Sequence, residues 1–378
     1  AINYGGLVRS EFVRSNPYTL LGSDYFRFAF SQNPWPDRLM GQYAEDVDRF
    51  LPPSSFSLLE DSFPMKLFKK DHALASIAME DFLLPSQDNA IAGSSLIGYI
   101  NKSQILNGAN KQKAQYRKGV PEIMDPGYFI PYLNEDVYAG VYSELSRLDS
   151  ENSPYFAYFH LYSPHFPYRP RNDYRTLFRG DGYIPVSKPV HPMSSGLAKD
   201  FMLGQRDLYD RQIAQIDDEF GKLIRRLKKS GILENSYLIF TSDHGELFER
   251  GFVGHGFQFM YEPVLRIPLI IHAPGQTKRE DIFSLTSNID VLPTILSIAG
   301  KESVPDIDGK ILPGFGEELD EDRPIFSVVA VDNSAFGPIK KAVISMRKRT
   351  YKLIAYLGYD DFDGVFELYD LENDPEEL

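Results

Sequence analysis

Apolar residues along this chain fall into two periods, and the switches between them outline a fold. Tyr237, Leu238, Ile239 and Phe240 form a short β-favouring run bounded by polar residues, the pattern of a buried parallel strand. Leu265 to His272 reads as a second strand, closed by the turn Ala273-Pro274-Gly275, and Tyr155 to Tyr162 as a third. Helical spacing dominates elsewhere. Tyr209, Ile213, Ile216, Phe220, Leu223, Ile224 and Leu227 repeat every three or four residues, with acidic residues early, basic residues late and Ser230-Gly231 as the stop. Glu135 to Leu148 predicts another helix, and so does Met40 to Leu51, where Met40, Tyr43, Val47, Phe50 and Leu51 share helical spacing ahead of Pro52-Pro53. A further helix is expected within Leu285 to Ala299, capped by Asp290, with Pro293 in its first turn and Gly300 at its end.

Helix leading by a short link into strand is half of a βαβ unit, which predicts an α/β domain with a mixed, mainly parallel sheet between helices. The last stretch changes character. Ile325 to Val331, Lys341 to Met346, Tyr351 to Tyr356 and Gly364 to Tyr369 read as short strands of a small antiparallel sheet packed beside the main one. The expected division is therefore a main α/β domain over 1–312 and a small C-terminal subdomain over 313–378. Within the first, residues from about 52 to 134 follow no period, and an irregular insertion of that length suits a substrate-facing cap. Its charge run, Lys66-Leu67-Phe68-Lys69-Lys70, is the pattern of a solvated face.

Composition narrows the chemistry. The chain has 378 residues, 43% of them hydrophobic and 25% charged, and a net charge of -13. That balance argues against nucleic acid as the main partner, because neutralising phosphates takes clustered Lys and Arg. The absence of cysteine removes disulfides, thiolate zinc sites and a cysteine nucleophile from this chain. No apolar run approaches the length that spans a bilayer.

The candidate chemistry sits where the Tyr237 strand runs out. Ligands of open α/β sheets bind at the carboxyl ends of strands, and Asp243 and His244 arrive there on adjacent positions. A carboxylate beside an imidazole suits a divalent metal, although the same pair could cap a turn. Gly245 lets the backbone turn away, and His255, between two glycines, can return to the same crevice. His165 lies between Pro164 and Pro167 in a stiff loop that holds an imidazole in one place, or packs it among aromatics. His160, inside its strand, reads as a core residue.

Four segments in order resemble the sulfatase branch of the alkaline phosphatase superfamily: Phe159-His160 through Pro164-His165-Phe166-Pro167-Tyr168; Phe240-Thr241-Ser242-Asp243-His244-Gly245-Glu246; Tyr261-Glu262-Pro263 through Ile271; and Asp290-Val291-Leu292-Pro293-Thr294-Ile295-Leu296. Tyr351-Lys352-Leu353-Ile354 and Glu367 through Pro375 resemble that family's C-terminal subdomain. The resemblance covers roughly residues 135 to 378 and implies a metal-dependent hydrolase of sulfate esters, periplasmic or secreted, acting on a small anionic ester such as a sulfated sugar. It implies that Asp243 and His244 are metal ligands, for Ca2+ in the first instance, with Mg2+, Mn2+ or Zn2+ as alternatives. It implies a catalytic, substrate-binding His165 near the leaving-group oxygen. His255 stands near the place of a sulfate-binding lysine, and no Lys occurs between Lys229 and Lys278. That departure keeps phosphodiesterase, phosphonate monoester hydrolase and phosphoethanolamine transferase chemistry in play. The family's first strand with two acidic ligands, and its C/S-x-P-x-R nucleophile segment, have no counterpart here. The expectation is that a second chain or a missing N-terminal segment completes the domain, or that the chain is a catalytically inactive binding protein.

Overall fold

The computed structural model describes residues 15–57, 122–123, 131–178, 182–255, 258–302, 307–316, 322–330 and 337–378. Most of the irregular insertion, with the Lys66 to Lys70 run, lies outside these residues, as does the chain's opening.

A three-stranded parallel sheet forms the centre, in the order β2 (Arg49–Leu51), β1 (Phe26–Ser31), β3 (Tyr155–His160). Ser31 pairs with His160, so both strands end at the same level. Phe28, Ala29 and Phe30 of β1 are fully buried, because both faces of the sheet are covered. Phe28 and Phe30 pack with Val137 and Leu148 of helix α2 (Asn134–Ser150), whereas Ala29 packs on the other side with Met40 of helix α1 (Pro34–Gly41) and with Tyr18 of the short helical turn Pro17–Leu21.

The expected helix over Met40 to Leu51 does not form. The chain leaves α1 at Gly41, makes a 3-10 turn at Ala44–Asp46 and enters β2. Tyr43, Val47 and Phe50 still reach the Tyr18 cluster, so their apolar spacing serves the core without a helix. What overrides the helical period is edge pairing: Phe50 sits opposite Ala29, and Asp48 holds both the backbone and the guanidinium of Arg27.

Helix α3 (Lys199–Ser230) is longer than its apolar stripe, with 32 residues and a length of about 48 Å. Gly231 ends it in the left-handed conformation, at φ 84°. Its C-terminal half packs Leu223 and Leu227 against Tyr138 and Val141 of α2. Its middle buries Arg211, Gln212, Gln215 and Glu219, polar residues on a face that the apolar stripe does not mark, and its first ten residues, 199–208, precede the stripe altogether.

Strand β4 (Leu238–Thr241) follows α3, but its partner corrects the parallel expectation. It pairs antiparallel with β7 (Leu269–His272) and is half-buried to exposed along its length. Between them comes a hairpin, β5 (Leu247–Glu249) and β6 (Phe252–Gly254). Helix α4 (Val291–Ile298) carries Asp290 at its N-cap, yet that buried carboxylate caps nothing in α4; it accepts from the backbone of Ser287 and Lys310 and from Arg323.

The tail forms the expected antiparallel sheet, β8 (Ile325–Val329), β9 (Ala342–Lys348), β10 (Tyr351–Leu357) and β11 (Phe366–Asp370), in sequence order. Its inner face packs Val343, Ile354 and Tyr356 on Leu247, Phe259, Tyr261 and Val264, directly behind the hairpin. Among the described residues, no helix is long and apolar enough to cross a membrane.

Candidate active site

Two loops meet at the ends of β3 and β4. The β4 loop is built from short backbone ties. The Thr241 hydroxyl donates to Pro268 O, the Ser242 hydroxyl to His244 O, and Asn288 Nδ2 to Ser242 O. Asp243 Oδ1 accepts from His244 N at 3.0 Å, which turns the carboxylate back over its neighbour. Gly245 and Glu246 donate their N–H groups to Val264 O and Pro263 O at 2.8 and 2.9 Å. A Cβ on residue 245 would lie 2.1 Å from Pro263 O, so only glycine fits there.

The hairpin then brings His255 home. Arg250 and Gly251 have φ values of 57° and 78°, the left-handed pair of a two-residue type I′ turn. Leu247 pairs with Gly254, so Glu246 and His255 are the next opposed positions at the open end. His255 Nδ1 donates to both Glu246 oxygens at 3.1 and 3.2 Å. The His255 ring stacks on His244 with centroids 3.7 Å apart and meets His165 at 5.0 Å.

The β3 loop is fixed from outside. Gln32 Oε1 accepts from Tyr162 N, Gln212 Oε1 from Arg169 N, and Gln215 Oε1 from Arg171 N. Gln212 Nε2 also donates to the Ser163 hydroxyl. His165 donates its Nδ1 proton to Phe166 O at 2.8 Å, leaving Nε2 as the bare nitrogen of the neutral ring. Burial, more than any neighbour, holds the His165 pKa below its ordinary value.

The structure thus gathers Asp243, His244, His165 and His255 at one crevice. It adds two residues that sequence reasoning passed over. His160 Nε2 lies 3.8 Å from Asp243 Oδ2, with the Tyr158 hydroxyl 3.1 Å from its other nitrogen, so this strand histidine faces the site. The expected strand ran on to Tyr162, whereas in the structure it ends at His160, which places this histidine at the strand's carboxyl end. Glu246 is the other, its side chain 3% exposed, and the nine-residue gap to His255 across an Arg-Gly turn was the clue.

Asp243 Oδ2 and His244 Nε2 stand 3.6 Å apart, and His244 Nδ1 is tied to Gly245 O, so an oxygen and an imidazole nitrogen both remain for a cation. Burial raises the Asp243 pKa, but the His244 and His160 imidazoles together with the backbone N–H groups of Asp243 and His244 outweigh it and the net shift is downward. Asp243 keeps 51% of its side chain exposed, which leaves room on the cation side. These two residues fit a hard divalent ion as part of its shell. Among the described residues no group of three or more His, Asp or Glu converges to complete one.

Comparison with known proteins identifies the family. The family described as Sulfatase matches residues 88–301, and the family described as N-sulphoglucosamine sulphohydrolase, C-terminal, matches residues 249–378. The N-acetylglucosamine-6-O-sulfatase of Bacteroides thetaiotaomicron is 33% identical over 175 residues, covering 45% of this chain and 30% of that protein. Arylsulfatase K of Bos taurus is 30% identical over 180 residues, covering 46% and 32%. The chain therefore aligns with about a third of the length of these relatives. A solved phosphonate monoester hydrolase from Silicibacter pomeroyi shares the fold with a TM-score of 0.59 and 20% identity, covering all of this chain and 77% of that one. With a family match over more than half its length, the chain belongs to the sulfatase family, with the fold of the alkaline phosphatase superfamily.

Proposed function

We propose that the whole protein is a divalent-metal-dependent hydrolase of sulfate esters. The observation that carries this reading is the unbroken run of contacts from Asp243 through His244 and His255 to His165 at the ends of β3 and β4. Asp243 and His244 would hold the cation, for which calcium is the first expectation. Bound there, it would polarise the ester oxygens as a Lewis acid. His165 would donate a proton to the leaving-group oxygen from Nε2, in its doubly protonated form, since its other nitrogen is committed to Phe166 O. His255 faces the charged oxygens of the ester. The substrate is a small anionic ester, a sulfated sugar fitting the names of the relatives. Its nucleophile, and the rest of the metal shell, would come from a second chain or an N-terminal segment.

A second reading is supported by His255, which stands where the family's resemblance leads one to expect a lysine. It makes the ester a phosphate or phosphonate. Steady-state turnover of matched aryl sulfate and aryl phosphate esters by the full-length protein separates the two. A sulfate preference that disappears in Asp243→Asn supports the first reading, a phosphate or phosphonate preference supports the second, and no turnover of either ester overturns both.

A further inference from the structure

We infer that Glu377 is a positioning residue for this site: its carboxylate fixes the short helical turn Glu262–Leu265, to which the loop presenting Asp243 and His244 is tied. The inference rests on the hydrolase reading above for its purpose, whereas the contacts that carry it are independent of that reading. After β11 the chain turns back on itself, with Asp374 N donating to Asp370 O at 2.6 Å and Leu378 N to the Asp374 carboxylate at 3.0 and 2.9 Å. Glu377 enters the interior there, and its side chain is fully buried. The residue takes φ 56°, a left-handed conformation that a side chain other than glycine's holds where its surroundings dictate it.

Those surroundings are charged. Lys352 Nζ, also fully buried, donates to Glu377 Oε1 at 2.6 Å and to Glu262 Oε1 at 3.1 Å, and Arg347 donates to Glu262 Oε2 at 2.9 Å. Arg250, in the turn of the β5–β6 hairpin, donates to Glu377 O, while Lys188 pairs with Glu376 and Glu249 at 2.9 Å each. Cations and carboxylates in this cluster balance four against four. Apolar residues of similar volume fill a core as well as a buried ion pair does, so stability by itself does not account for the pair.

What an apolar side chain cannot do is accept a hydrogen bond. Glu377 Oε2 accepts from Glu262 N at 2.9 Å, the first N–H of its turn, which no helical carbonyl reaches. The next two carbonyls, of Pro263 and Val264, accept from Glu246 N and Gly245 N at 2.9 and 2.8 Å. Contact at Gly245 has no slack, because a Cβ there would lie 2.1 Å from Pro263 O. A displaced turn therefore displaces Gly245, and with it His244 next to it in the chain. Two hydrogen bonds in series thus separate the Glu377 carboxylate from the backbone of the cation loop. Groups that hold a metal ligand from behind cost about 10- to 100-fold in metal affinity when lost, and one step further out the lower end is expected.

The test uses the full-length protein, with Glu377→Gln and the double variant Lys352→Met/Glu377→Leu. Both remove the acceptor for Glu262 N, and the double variant leaves neither charge of the pair buried alone. In each, the calcium Kd from titration calorimetry should rise about 10-fold. Amide exchange at Gly245 and Glu246 should quicken while β1 and α2 keep their protection. Wild-type calcium affinity or wild-type exchange at Gly245 and Glu246 in the double variant would overturn the inference. So would exchange that quickens uniformly, or a double variant that does not fold, since either places Glu377 in global stability. A wild type that turns over no ester overturns the hydrolase reading instead, and local exchange at Gly245 and Glu246 then decides for or against Glu377.

Discussion

His165 and Asp243 are delivered to one cluster by loops more than seventy residues apart in sequence. The identity of both was legible: a histidine between prolines, and an Asp-His pair after an apolar run. Their joint meaning was not, because His165 meets His255, and His255 meets His244, only across a tertiary gap. The same gap explains why His160 read as core. A strand histidine looks the same in sequence whether its neighbour is a leucine or, as here, Asp243 Oδ2. If His165 assists the departing alcohol, its replacement should penalise poor leaving groups most. His165→Asn in the full-length protein is expected to lower kcat by about 10²- to 10⁴-fold for an alkyl ester and by much less for an activated aryl ester. Equal losses for both would remove that role.

Helix α3 supports the site as an element. Its apolar stripe packs the C-terminal half, and its buried glutamines reach sideways to hold the His165 loop. Gln212 is fully buried, accepts from Arg169 N and donates to Ser163, so it clamps both ends of that loop. Gln212→Leu strands a buried backbone donor at a cost of about 1–3 kcal/mol. Amide exchange should accelerate at Arg169 and its neighbours while the core of α2 and β1 stays protected. Uniform acceleration would place Gln212 in global stability instead. Helix α3 shows where periodicity stops informing: a helix face that binds a loop through amides repeats nothing that a hydrophobic period can detect. The strand at Arg49–Leu51 shows the converse, with helical spacing present and edge pairing winning.

At the scale of the molecule, one carboxylate of the C-terminal sheet gathers several of the groups that join it to the region behind the site. Glu367 accepts from the hydroxyls of Tyr261, Tyr356 and Tyr369 at 3.0, 2.7 and 2.6 Å, with His191 Nε2 at 3.6 Å. Burial alone would raise its pKa, but His191 and the three tyrosines together lower it to about 2. A depressed carboxyl pKa stabilises the fold above the unfolded value, near 4.5, and that contribution is lost as pH falls toward 2. Its size is on the order of 3 kcal/mol. Denaturant unfolding should therefore lose stability between about pH 4.5 and pH 2 in the wild type, and Glu367→Gln should flatten that limb while lowering stability at neutral pH. An unchanged acid limb in the variant would show that other carboxylates govern it.

By itself the sequence determined the α/β class, the antiparallel tail, the acidic balance and the residue types of the site, because these follow from local period, composition and short motifs. Only the tertiary structure decided that β4 pairs antiparallel with β7, that three histidines share one crevice, and that Glu246 and Gln212 stand behind two of them. The physical reason is range. Periodicity records which face of an element is dry, whereas hydrogen bonds between distant loops leave no mark until the chain has closed around them.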